Sequence, residues 1–428
     1  ARAGVGFSMS AGRRVGKSGG VLSQAAIKDR GRCLLEAEGA QQPPGAAQCG
    51  QGTGAFHNPL GEFLDMKILL LCWRDSTHPQ GGGSERYLER VGEYLAAQGH
   101  EVVFRTARHM NAAKRERRNG VLYSRAGAKF SVYPRALLSI LLGRRALRGA
   151  DVVVDTHNGI PFFARLATRA PVVILTHHCH REQWPVAGPV LARLGWFLES
   201  RVVPALYREN TWVTVSEASK RDLEKLGIHG AHIIENGVDP LPSHVPTLER
   251  EADIHLVTLS RLVPHKQIEH AMDTVARIPG ALLDVIGSGW WESHLREYAR
   301  AHGVEDRVRF RGQVTEDYKH ALLARADVHL MPSRKEGWGL AVMEAAQHGV
   351  PTVGYAFGLQ DSVIDGKTGV LVRREEGFAP AVRMLVDDPS LRRRLGEAAR
   401  ELAATFSWEK TGARFEELLE AEVRTRRR

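Results

Sequence analysis

From Met66 onward, short apolar runs alternate with stretches whose apolar positions recur every three to four residues. The runs KILLLCW, EVVFRTA, DVVVDTH, PVVILTHH and TWVTVS read as buried strands. Between them, GSERYLERVGEYLAAQG places Tyr87, Leu88, Val91 and Leu95 on one helical face and Gly99 as its stop. Fully apolar strands separated by helices predict a parallel sheet covered on both faces. A second series follows, with IHLVTLS, ALLDVIG, RVRFRG, DVHLMPS, PTVGYA and GVLV as strands. The stretch DPLPSHVPTLEREAD (239–253), rich in proline and charge, reads as the linker between the two. The expected fold class is therefore α/β, with one unit over residues 66–245 and a second over 246–405. A last helix and a basic tail occupy 406–428, and the helix is expected to cross back to the first unit.

Length agrees with this division, since 428 residues exceed one ordinary core. Residues 1–65 are rich in Gly, Ala, Ser, Gln and Arg and lack periodicity, so they are expected to be a disordered extension. Within them AGRRVGKS (Ala11 to Ser18) has the outline of a phosphate loop but follows no convincing strand, so chance explains it better. A net charge of +10 favours anionic partners, although an Arg-rich genome would give the same excess. No apolar run is long enough to span a bilayer. Cys33, Cys49, Cys72 and Cys179 are scattered, which fits a reducing cytoplasm. THHCH (Thr176 to His180) crowds its histidines too closely for one tetrahedral metal site without a distant ligand, so no metal is expected.

Ligands of open α/β sheets bind at the carboxyl ends of strands, so the loops there carry the candidate chemistry. SRKEGWGLAVMEAAQHG (Ser333 to Gly349) puts Glu336 in such a loop and Glu344 on the following helix. Gly337 and Gly339 allow close backbone approach, and a carboxylate accepts both hydroxyls of a vicinal diol. SRLVPHK (Ser260 to Lys266) offers Arg261 and Lys266 to a diphosphate, one as a planar fork and the other as a point charge. VIGSGW supplies a glycine turn at Gly287, and Gly81 to Gly83 form another before the first helix. Each feature alone has a bland reading as a surface charge or a turn. Their convergence on strand-end loops favours a binding site.

At these residues the chain resembles the family 4 glycosyltransferases of GT-B fold. EGWGLAVMEA is similar to their E-x7-E signature and SRLVPHK to their phosphate-binding loop. HGVPTV and DGKTGVLV follow in the same order, and NGVD (Asn236 to Asp239) resembles the domain junction. The resemblance implies two Rossmann-like parallel-sheet domains facing across a deep cleft. It implies a retaining, metal-independent transfer from a nucleotide-diphosphate sugar, a co-substrate rather than a cofactor, to an acceptor hydroxyl. Arg261 and Lys266 would hold the diphosphate and Glu344 the ribose. Glu336 and the backbone amides of Gly337, Trp338, Gly339 and Leu340 would hold the donor sugar. Gly82 or Gly83 would approach the phosphate from the other domain, with Gly287 beside the donor. His157, in DTHNG, matches the cleft histidine, with a structural histidine as the alternative. Trp338 stands where Phe is common, and GLQDSV departs from the usual pattern, leaving Gly358 and Leu359 as weaker contacts.

The acceptor side is less distinctive. PRALLSILLGRRALR (Pro134 to Arg148), KRERR (Lys114 to Arg118) and QWPVAGPVLARLGWFLESR (Gln183 to Arg201) could rest on an anionic membrane face. Core packing with a solvated basic face is the favoured reading of the same pieces. The expected location is cytoplasmic, with peripheral membrane contact as the second expectation. Nucleic acid is not expected as a partner, because no recognition motif accompanies the charge. A dehydrogenase would need a third glycine that GSGWWE and GGGSER lack. A sugar-nucleotide epimerase of the same fold and a non-catalytic nucleotide-sugar binder stay open. Envelope glycan, glycolipid and small natural product are all admissible acceptors.

Overall fold

The computed structural model describes residues 65–428 except 79, 80, 144, 182 and 185–187. The expected disordered extension and the AGRRVGKS stretch lie outside the described residues. The first half contributes strands β1 (Lys67–Leu71), β2 (Glu101–Thr106), β3 (Arg115–Arg118), β4 (Val121–Arg125), β5 (Val152–Thr156), β6 (Val172–Thr176), β7 (Trp212–Thr214) and β8 (His232–Ile233). They form one sheet in the order β3-β4-β2-β1-β5-β6-β7-β8. All neighbours are parallel except the β3–β4 pair. The second half contributes β9 (Ile254–Leu259), β10 (Ala281–Ile286), β11 (Val308–Gly312), β12 (Val328–Met331), β13 (Thr352–Tyr355) and β14 (Gly369–Val372). These form a wholly parallel sheet in the order β11-β10-β9-β12-β13-β14. The first strand of each series lies inside its sheet, flanked on both sides, and the strand order reverses there. That reversal opens a crevice at the carboxyl ends.

The apolar strand residues face both ways. Ile68, Leu70, Val102 and Phe104 pack on one face with the helix Gly83–Ala97. Leu69, Leu71, Val103 and Val153 pack on the other. The terminal helix Trp408–Arg427 lies against the first helix, burying Phe415, Leu419 and Val423 in the same cluster. A methyl group at Gly412 would fall 2.2 Å from the Tyr94 ring, so glycine sets how closely these helices approach. Glu416 accepts from His100 Nε2 at 2.9 Å, tying the last helix to the first sheet. Residues 234–253 contain no helix or strand.

Two expectations for the acceptor side change. KRERR is not a free basic run. It is mostly the edge strand β3, whose alternating half-buried and exposed residues pair with β4. Nor do the two apolar stretches sink wholly into the core. Val132 and Ala136 are buried, but Leu138, Leu141 and Leu142 are exposed, as are Val190, Leu191, Leu194 and Phe197. No helix among the described residues is long and apolar enough to cross a membrane.

Candidate active site

Two carboxylate–lysine pairs form at the strand ends of the second domain. Lys266, at the end of the short helical turn after β9, donates to Glu336 Oε1 at 2.5 Å. Both side chains are about one-eighth exposed. Burial would raise the Glu336 pKa, but Lys266 more than offsets it, so the carboxyl stays below its ordinary range. Glu344, on the helix Leu340–Ala346, accepts from Lys319 at 2.5 Å. Here burial wins over Lys319, and the Glu344 pKa is raised. Glu336 and Glu344 therefore answer to different cations and do not form a pair with each other.

Arg261 is half-buried and its side chain makes no hydrogen bond or ion pair among the described residues. Burial lowers its pKa, and Arg74 lowers it further. Arg74 enters from the loop after β1 and donates to the buried Glu85 at 2.7 Å. The Gly82 N–H donates to the other Glu85 oxygen at 2.8 Å. That amide is thus already engaged, and Gly82 contributes its bare Cα face. A methyl built there would lie 3.8 Å from Arg261 Nε, so the two domains meet here. Gly83 meets Leu340, whose Cδ1 would be 2.9 Å from an added methyl.

The other glycines hold loops together. Gly287 has φ +119°, and a Cβ there would sit 2.0 Å from the Ser260 carbonyl oxygen. It presses the turn after β10 onto the Arg261 loop, supporting the cation from behind. Gly358, φ +99°, backs the Glu336 carbonyl in the same way. Gly339, φ +99°, turns the chain into its helix against Leu359 and Ser362. Gly337 abuts the His177 carbonyl of the first domain, where Ser219 Oγ donates to His177 O at 2.6 Å. Lys335 pairs with Asp222 across the same junction.

Trp338 and Leu359, both named for the donor side, keep their side chains in the core. The Trp338 ring is 2% exposed and lies edge-on to Phe406 at 5.0 Å, in the apolar cluster shared by both domains. A large apolar ring gains more from that cluster than from a polar cleft, so only the Trp338 backbone remains at the loop. Leu359 is likewise fully buried. His157 directly follows β5, is fully buried, and shares a hydrogen bond with Thr176 Oγ1 at 3.1 Å. Its Nε2 has no partner. Burial lowers its pKa to about 4, so the ring is neutral at pH 7.

Several neighbours escape sequence reasoning. Arg74 and Glu85 flank a recognised glycine turn, but only the fold joins them to Arg261. Lys319 sits on an ordinary polar helix with no motif. His177, in THHCH, is buried edge-on to Tyr87 at 5.1 Å with neither ring nitrogen partnered. Among the described residues no three His, Cys, Asp or Glu side chains are placed to hold a metal ion.

Comparison with known proteins agrees with this architecture. The family profile described as Glycosyltransferase Family 4 matches residues 81–240, and that described as Glycosyl transferases group 1 matches 243–402. The chain is 31% identical over 283 residues to the GDP-mannose-dependent alpha-(1-6)-phosphatidylinositol monomannoside mannosyltransferase of Mycobacterium tuberculosis, covering 60% of this chain and 71% of that one. It is 30% identical over 273 residues to the glycogen synthase of the same organism, covering 54% of this chain and 65%, just under two thirds, of that one. Among solved structures, sucrose-phosphate synthase from Thermosynechococcus elongatus superposes with a TM-score of 0.72 at 22% identity, over 83% of this chain and 98% of that one. WaaG, a glycosyltransferase involved in lipopolysaccharide biosynthesis, gives 0.65 at 18%, over 82% and 99%. With two family profiles in tandem over two facing parallel-sheet domains, the chain belongs to glycosyltransferase family 4 and has the GT-B fold.

Proposed function

We propose that this chain is a retaining transferase that moves a hexose-type sugar from a nucleotide-diphosphate donor to an acceptor hydroxyl. The observation that carries the reading is the pair of carboxylate–lysine contacts, Lys266–Glu336 and Lys319–Glu344, beside the unpaired Arg261. On this reading the diphosphate lies against Arg261 and Lys266. The Glu344 carboxylate accepts the ribose hydroxyls, and Glu336 with the Gly337–Leu340 backbone holds the sugar. Bond breaking leaves the anomeric carbon's electron pair on the diphosphate oxygen, where the two cations stabilise it. The acceptor oxygen bonds to the anomeric carbon on the same face, and its proton passes to the departing phosphate. His157, neutral at pH 7, offers its ring to a sugar hydroxyl rather than a charge. Two protein cations take up the leaving-group charge, so no metal is required, and chelation should leave turnover unchanged.

Peripheral contact with an anionic membrane face belongs to the same reading. The exposed Leu138, Leu141 and Leu142, with Arg135 on the same helix, support it. The test is a panel of UDP-, GDP-, ADP- and dTDP-sugars, scoring nucleoside diphosphate release and the anomeric configuration of the freed or transferred sugar by NMR. Release with retained configuration, lowered by orders of magnitude in a folded Lys266→Ala variant, is expected. Inversion would refute the mechanism. Binding without any release would favour a non-catalytic sugar-nucleotide binder.

A further inference from the structure

A second basic region lies apart from the two carboxylate–lysine pairs. A cavity of about 640 Å³ opens among the carboxyl ends of β2 and β4, the edge strand β3 and the helix Val132–Leu141. Arg105, Lys114, Arg115, Ser124, Arg125 and Ser139 line it. Arg125 is buried, but its charge is answered by Asp75 at 2.5 Å and Glu116 at 2.7 Å. Arg105 is different. It is 6% exposed, and its Nη1 donates to Ser124 Oγ at 3.0 Å and to the Ser124 carbonyl at 3.4 Å. Its Nε has no partner, and no carboxylate pairs with it among the described residues. The one charge that acts on it appreciably is another cation, Arg135.

A buried guanidinium with no counter-ion is costly, because desolvation is not offset by an ion pair. A fold that keeps one beside an open cavity has room for the counter-ion to arrive from outside. We infer that this cavity is an anion-binding site for a phosphate mono- or diester, with Arg105 as its fixed donor. A guanidinium fork matches phosphate oxygens, and exposed Lys114 and Arg115 add attraction at the lining. The volume admits a phosphate with a sugar- or glycerol-sized substituent. Arg105 accepts a backbone hydrogen bond from Cys72 at 3.1 Å, two residues before Arg74 at the donor cleft. The cavity therefore shares the strand ends of the acceptor-side domain. Joined to the transferase reading, on which this last step rests, it makes phosphate part of the acceptor.

The test uses the full chain and two kinds of probe. Inorganic phosphate and sn-glycerol 3-phosphate are titrated calorimetrically. Phosphatidylglycerol–phosphatidylcholine vesicles are compared with pure phosphatidylcholine by co-sedimentation. Arg105→Met should weaken at least one probe tenfold or more, while Lys266→Ala does not. Without anion, Arg105→Met should melt no lower than wild type, since it removes an unanswered charge. If it fails to fold, the exposed double variant Lys114→Glu/Arg115→Glu should weaken the same probe several-fold. Arg105-dependent binding of the soluble esters identifies a free phosphorylated ligand. Dependence seen only with anionic vesicles identifies a lipid headgroup, and either supports the site. Equal binding in wild type and both pocket variants, or loss confined to Lys266→Ala, would overturn it. Nucleotide binding plays no part in this assay, so failure of the transferase reading would register separately.

Discussion

Lys319→Met isolates one step of the proposed donor recognition. Lys319 Nζ lies 2.5 Å from Glu344 Oε1, and the Glu344 side chain is 24% exposed. At an effective dielectric of about 20, that separation gives a gross attraction of roughly 6–7 kcal/mol. Solvent around the partly exposed carboxylate and the competing contact from Lys319 to Glu316 take back most of it. What remains is on the order of 1.5–3 kcal/mol, the usual worth of a hydrogen bond to a charged group. Burial already raises the Glu344 pKa, and Lys319 opposes that rise. Without the lysine the carboxyl protonates more readily and accepts ribose hydroxyls poorly. Donor KM should rise about ten- to a hundredfold, since each 1.4 kcal/mol is about one decade. The loss should be largest at low pH and shrink as pH rises and the carboxylate reforms. The assay is donor KM against pH, with melting temperature as the check on folding. An unchanged KM, or a loss independent of pH, would refute the reasoning.

Gly287→Ala should destabilise by at least about 1–3 kcal/mol from the strained backbone alone. The overlap with Ser260 adds to this, whereas Gly303→Ala, at φ +64° with open space around it, should cost only the conformational part, as chemical denaturation would show. Burial lowers the pKa values of His157, His177 and His329 to about 4, so each stays neutral in the fold while the unfolded chain protonates near 6.5. Their contribution is full above pH 6.5 and is lost as pH falls toward 4. His157→Gln should therefore flatten the acid limb of a stability–pH profile. Breaking the Lys335–Asp222 contact with Asp222→Ala should leave melting nearly unchanged but raise donor KM a few-fold, because it joins the donor loop to the opposite domain.

The buried strands were legible because their apolar runs are long and punctuated by glycine and polar loops. Arg261, Lys266 and Glu336 stand out in the sequence as candidates because they fall in loops that follow strands, and Glu344 because it lies on the helix that such a loop opens. Their partners were not, since Lys266–Glu336 spans 70 residues and Lys319–Glu344 spans 25. The β3–β4 hairpin was missed because an edge strand with one solvated side carries RERR, a pattern that also reads as a charged loop. The direction of the Trp338 ring is not legible in the sequence, because loop position says nothing about which way a ring turns. Phe406, from the segment that precedes the terminal helix, decides that by packing against it. The Arg105 cavity leaves no trace in any motif. It arises where two strand ends, a hairpin and a helix converge.

The most direct measurement is calorimetric binding of UDP, GDP, ADP and dTDP to wild type and to folded Lys266→Ala and Glu344→Ala variants. One nucleotide should bind wild type, with affinity falling at least tenfold in each variant. Failure of all four to bind, or binding indifferent to both substitutions, would contradict the assignment of the donor site.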